Sequence, residues 1–155
     1  MKTKILFTII ALMLSTMGAQ AQNNLFDKFS NNNEISVVYI SKTLLSMAPN
    51  MNMGGADLKG LANKLDQVEI YTSEKPNIAA MMRKEAEVLT KDKLYESLMT
   101  VKDKEDHITF YVKKKNDTEF KELVMVVSEP NECTIIRLLG SFTAQDIQKI
   151  ANSKQ

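Results

Sequence analysis

Between Tyr95 and Leu139 the chain passes through four strand-like segments joined by spacers too short for anything but turns. The segments are Tyr95–Val101, His107–Lys114, Phe120–Val127 and Cys133–Leu139. The spacers Lys102-Asp-Lys-Glu-Asp106, Lys115-Asn-Asp117 and Ser128-Glu-Pro-Asn-Glu132 are polar and turn-forming. Connections this short join antiparallel neighbours, so the C-terminal half reads as a four-stranded antiparallel meander. Ile108, Phe110 and Val112 alternate with Thr109, Tyr111 and Lys113, which gives that strand one wet face. Leu123-Val-Met-Val-Val127 is apolar on both faces and belongs in the middle of a sheet. Gly140 is expected to end the sheet.

The upstream half alternates helix and strand signals. Leu25, Phe26 and Phe29 are spaced for a short helix or docking arm, and Ile35–Ile40 is a β-branched, aromatic strand. Ser41 is a helix N-cap for Lys42–Ala48, and Pro49 stops that helix. Leu58, Leu61, Ala62 and Leu65 form one apolar stripe, which predicts a second helix opening near Asp57 and weakened by Gly60. Val68–Thr72 is the next strand, so the segment reads as a strand–helix–strand crossover of the βαβ type.

Pro76 opens a helix to about Thr90, with Ile78, Met81, Met82, Ala86 and Leu89 on one face and an Arg83–Glu87 pair on the other. Thr143-Ala-Gln-Asp146 is a capping box with Asp in place of Glu or Gln, followed by Ile147, Ile150 and Ala151 facing inward. The expected fold is α+β: a mixed sheet with a C-terminal antiparallel meander and helices packed mainly on one face.

The first residues are a different kind of segment. Met1-Lys-Thr-Lys4 is a short positive run, Ile5–Leu14 is apolar, and Ala19-Gln-Ala21 is a small-residue cleavage site. That is the pattern of a secretory signal peptide over residues 1–21, leaving one domain over residues 22–155. The apolar run is shorter than the roughly 20 residues of a membrane span. Loss of Lys2 and Lys4 takes the formal charge from +1 to −1. A near-neutral chain has no field to steer it onto nucleic acid or an anionic membrane. Cys133 is the only cysteine, so no internal disulfide is expected and the core must hold the fold.

Five pieces together resemble a known family: "VVYISKTLLSM" (Val37–Met47), "LDQVEIYTSE" (Leu65–Glu74), "YESLMTVKD" (Tyr95–Asp103), "ITFYVKKK" (Ile108–Lys115) and "ELVMVVSEP" on through "IIRLLGSFTAQDIQKI" (Glu122–Ile150). They resemble the DUF4252 family of small exported proteins of Bacteroidetes, whose function is unknown. The likeness covers nearly all of the chain after residue 21 and is a whole-domain pattern rather than a catalytic motif. It implies export and an envelope or stress-response role. Many relatives carry a lipid-attachment Cys; here no Cys lies near the cleavage site, so tethering does not carry over. The family supplies no catalytic residues.

The residues themselves offer little chemistry. His107, the one histidine, sits beside a charged turn, and in a meander the strand Phe120–Val127 separates it from Cys133. A Cys/His dyad is therefore not expected, and two N/S ligands fall short of a structural zinc site. The acidic residues form no facing pair, and no P-loop, G-x-G-x-x-G, G-x-S-x-G or H-E-x-x-H is present. Gly54-Gly55 reads as a flexible helix entry, and Lys113-Lys-Lys115 as a charged hairpin tip.

Met47, Met51 and Met53 are soft ligands in an exported chain, the one lead toward copper; Met47 belongs to a helix face, and two thioethers make a poor site. The expectation is no catalytic residue, no metal site, no cofactor and no transmembrane span. The chain reads as a periplasmic or secreted binding domain for an unknown envelope protein or small ligand. A small copper-handling protein or an enzyme with an unrecognised site is the alternative.

Overall fold

The structure, a computed structural model, describes residues 24–47, 52–53, 56–57 and 61–152. The expected signal peptide over residues 1–21 lies outside them, as do Pro49, Met51, Gly54-Gly55, Leu58 and Gly60. Along the chain run α1 (Asn24–Ser30), β1 (Ser36–Ser41), α2 (Lys42–Met47), β2 (Asn52–Met53), β3 (Ala56–Asp57) and β4 (Leu65–Ser73). Then come α3 (Pro76–Ala86), α4 (Val88–Lys91), β5 (Tyr95–Asp103), β6 (Asp106–Lys114), β7 (Glu119–Ser128), β8 (Cys133–Thr143) and α5 (Ala144–Asn152). Six strands form one sheet in the order β1-β4-β8-β7-β6-β5, while β2 and β3 pair only with each other.

The C-terminal meander forms as its short spacers require, and β8 returns to pair with β4. The sheet is not mixed, however. β1 and β4 are antiparallel, so all six strands alternate in direction. The expected βαβ-type crossover is not formed: Ser41 at the end of β1 pairs with Gln67 near the start of β4, so β4 sets out from the end where β1 finished and runs antiparallel to it.

The predicted second helix is also corrected: Ala56–Asp57 is strand, Ala62–Lys64 is a single 3-10 turn, and Leu65 already belongs to β4. Its apolar stripe was a true burial signal nonetheless, since Leu61, Ala62 and Leu65 are all buried.

Each face of the sheet carries its own core. On the first face α1, α3 and α4 press Phe26, Phe29, Ile78, Met82 and Leu89 against Tyr71, Val124 and Ile135. On the second face Leu45 of α2, Leu61 and Ile147 of α5 meet Val68, Phe110, Leu123, Met125 and Leu138. The heavier helical layer thus lies on one face and a lighter one on the other. Leu123, Val124 and Met125 are fully buried on alternating faces, which explains the unbroken apolar run of β7. Burying a side chain of that size contributes roughly 1.5–3 kcal/mol.

Local signals place the helix ends. The Leu44 N–H donates to Ser41 Oγ at 3.4 Å, the N-cap of α2. The box at Thr143 closes as expected: the Thr143 N–H donates to Asp146 Oδ2 at 2.9 Å, and Lys64 Nζ reaches the same carboxylate at 2.9 and 2.8 Å. The long helix breaks at Glu87, and Arg83 does not pair with that residue. Its Nη1 donates to the carbonyls of Glu129 and Glu132, tying α3 to the β7–β8 turn.

Gly140 does not end the sheet; β8 runs on to Thr143. Its place is a close approach, because a Cβ there would sit 2.2 Å from Lys64 O and 2.9 Å from Leu65 Cα.

Candidate functional site

Glu69 on β4 and Arg137 on β8 each interrupt an apolar strand run, and Glu122 on β7 stands beside Lys121 just before one. Alternation points all three to the first face, where β8 lies between β4 and β7. The guanidinium bridges the two carboxylates. Arg137 Nε donates to Glu122 Oε1 at 2.7 Å, and Nη1 donates to Glu69 Oε2 at 3.1 Å.

Tyrosines complete the shell: Tyr95 Oη donates to Glu122 Oε1 at 2.7 Å, and Tyr71 Oη to Glu69 Oε2 at 2.8 Å. Gln67 Nε2 donates to Glu69 Oε1, and Gln67 Oε1 accepts from Tyr39 Oη at 3.2 Å. Phe26 of α1 lies over the guanidinium, its ring centroid 4.1 Å from Cζ. Lys113 Nζ stands 5.4 Å from the centre of the Tyr95 ring.

The electrostatics are those of a lock. Burial works against the charge on Arg137, but the carboxylates of Glu122 and Glu69 outweigh it and hold the guanidinium protonated beyond its ordinary range. Burial raises the Tyr71 phenol to about 12, with Glu69 adding to the rise and Ser30 and Arg137 opposing it. Burial, then Glu122, pushes Tyr95 upward as well. Both phenols are donors at neutral pH, not nucleophiles. Among the described residues every buried side-chain nitrogen and oxygen has a partner. The arrangement fixes β7, β8, β4 and β1 relative to one another through side chains.

Sequence reading missed this cluster. Two facing carboxylates were not expected, because Glu69 and Glu122 lie far apart in the chain and neither has a neighbouring acid at a telling interval. The usable signal was the charged residue in the middle of an apolar run, at Glu69 and Arg137, which is tolerated only with a partner; Glu122, beside Lys121, carried no such signal.

The residues singled out beforehand are scattered. His107 pairs with Ser128 on β7, and Ser128 pairs with Cys133 on β8, so one strand stands between them, about 10 Å across. Cys133 is fully buried, and burial raises its thiol to about 11. Of the methionines, Met47 is three-quarters exposed at the end of α2, Met53 lies on β2, and Met51 falls outside the described residues. Among the described residues no three His, Cys, Asp or Glu side chains could share a metal ion. No described helix is long and apolar enough to cross a membrane. The lysine run is partnered: Lys114 with Glu96 at 2.8 Å and Lys115 with Glu119 at 3.5 Å.

One surface stands out, at the end of the network. β1 is an outer strand with the sequence Ser-Val-Val-Tyr-Ile-Ser, without charge or proline, and pairs residue for residue with β4 without a bulge. Val37, Val38 and Tyr39 are 41, 46 and 62 % exposed. Val37 and Tyr39 point to the first face and Val38 to the second, so the strand is apolar on both sides. The opposite edge, β5, carries a bulge at Leu98 and charges at Glu96, Lys102 and Asp103, the ordinary defences of an edge. β1 has none of these.

No curated protein and no solved structure matches this chain. A family model, "Domain of unknown function (DUF4252)", matches residues 29–150, from Phe29 in α1 to the last helix. That span holds all six strands of the main sheet, the Glu69–Arg137–Glu122 bridge and the β1 edge. The chain belongs to the DUF4252 family.

Proposed function

We propose that this chain is an exported, non-enzymatic interaction domain, and that it engages its partner by strand addition at β1. The observation that carries the reading is the undefended β1 edge. A sheet edge without charge, proline or bulge offers backbone donors and acceptors to an extended segment, and Val37, Val38 and Tyr39 offer side-chain grip on both faces. The Glu69–Arg137–Glu122 bridge supports the reading, because through Gln67 it holds the Tyr39 hydroxyl and keeps the edge in shape. The cleavable leader read over residues 1–21 supports export to the periplasm or beyond, and the family resemblance supports an envelope or stress-response setting.

The test is a photo-reactive amino acid placed at Val38 in the producing cell, with Lys104 on the β5–β6 turn as control. A discrete adduct from the exported fraction, absent at Lys104, is the expected outcome. No adduct at Val38, or a product that stays in the cytoplasm with its leader attached, contradicts the proposal.

A further inference from the structure

We propose that a cavity on the β5 side of the sheet binds the phosphate group of a small organic phosphomonoester, with Lys93 and Lys121 as its two cationic contacts. The cavity has a volume of about 470 Å³, within the usual range for small-molecule sites. It opens where β5 begins, β6 ends and β7 begins, and lysines reach it from all three. Lys93 stands just before β5, Lys113 and Lys114 end β6, and Lys121 lies on β7. The one acid in its lining is Glu96.

Two of these lysines are already engaged. Lys114 pairs with Glu96 at 2.8 Å, and Lys113 lies over the Tyr95 ring. Among the described residues the side chains of Lys93 and Lys121 have no ion pair and no hydrogen bond. Glu122, next to Lys121, is turned away to Tyr95 and Arg137.

A distortion of the backbone places Lys121. Against β6, Glu122 pairs with Lys113 and Phe120 with Lys114; against β8, Glu122 pairs with Leu139 and Phe120 with Phe142. Both ladders pass over Lys121, so an interior strand bulges at a lysine. Bulges re-aim a side chain and recur beside functional sites. Downstream of this one, β7 is buried from Glu122 to Val127.

Two unpaired ammonium groups match a dianion. A phosphomonoester carries roughly −1.5 to −2 charges at neutral pH, whereas a carboxylate carries a single one. Lysine binds phosphate as a point charge, without the fork that arginine needs for two-point contact. Leu94, half exposed, and the buried Val112 give the cavity an apolar wall, which suits an organic body better than a bare ion. The cavity is on the edge opposite β1, so the inference is independent of what β1 engages.

The test is titration of the purified protein with phenyl phosphate, followed by amide NMR shifts. Saturable binding in the millimolar range or tighter is expected, with the largest shifts at Leu94, Val112 and Lys121, and it should weaken as salt is raised. Lys93→Gln/Lys121→Gln should weaken it at least about tenfold. Lys102→Gln/Lys104→Gln, at the far end of β5, should leave it unchanged. All four lysines are exposed, and an unchanged melting curve shows that each variant is folded. Benzoate keeps the ring and loses a charge; inorganic phosphate keeps the charge and loses the ring. Each should bind several-fold more weakly. No saturable binding, or binding that Lys93→Gln/Lys121→Gln retains, overturns the proposal. So does benzoate binding as tightly as phenyl phosphate, or inorganic phosphate doing so, which would mean an adventitious ion only.

Discussion

At the scale of single residues, Arg137 has the most to lose. Its guanidinium is the cation that the structure places between Glu69 and Glu122, whose side chains are 11 and 5 % exposed. Arg137→Met leaves two carboxylates with their tyrosine donors but no counter-charge. Breaking a buried ion pair from one side costs about 3–5 kcal/mol, and the one-fifth exposure of the arginine side chain argues for the lower end. Against a typical total of about 5–15 kcal/mol, that is a large share. Urea titration should show the midpoint falling with an unchanged slope. Adding Glu69→Gln and Glu122→Gln to Arg137→Met should recover part of the loss, because no charge is then stranded. A midpoint within error of the parent protein would mean that the bridge holds nothing.

At the scale of elements, the contact between β8 and β4 is governed by backbone rather than side chains. Leu65 pairs with Gly140, and the register shifts before Gln67, so β4 bends closely over β8 at that point. Gly140→Ala would drive a methyl group into Lys64 O and Leu65 Cα, atoms that cannot rotate away as a side-chain end could. Overpacking of this kind costs about 2–3 kcal/mol and should lower the melting temperature by roughly 5–10 °C. Hydrogen exchange should quicken first at Leu65 and Gln67. An unchanged melting curve would show that the two strands can part without penalty.

This contact also marks where sequence reading stops. The meander, the caps at Ser41 and Thr143 and the apolar faces of α1 and α3 are local patterns, and each was legible. The antiparallel β1–β4 pair, the close approach at Gly140 and the meeting of Glu69, Arg137 and Glu122 join residues distant in the chain. Periodicity reports which face is buried, not which strand lies next to it.

At the scale of the whole molecule, the side-chain network crosses the sheet from Tyr95 on one edge strand to Tyr39 on the other, and its tyrosines give stability an alkaline limit. The folded protein holds the protons of Tyr71, Tyr95 and Tyr111 to higher pH than the unfolded chain does, Tyr71 to about 12. Their contribution is therefore whole below the ordinary phenol range near pH 10 and drains away as pH rises through the folded values. Tyr71 alone should cost about 1 kcal/mol by pH 11. Phenolate absorbance measured against pH should lag in the native protein and then rise together with loss of structure. Tyr71→Phe/Tyr95→Phe should flatten that alkaline decline while starting from a lower stability at neutral pH, since Glu69 and Glu122 each lose a donor. If these phenols titrated freely at their ordinary pH with the fold intact, the hydroxyl–carboxylate contacts would not survive in solution. Glu69 and Glu122 would then rest on Gln67 and Arg137 alone, and Tyr39 would still reach the bridge through Gln67.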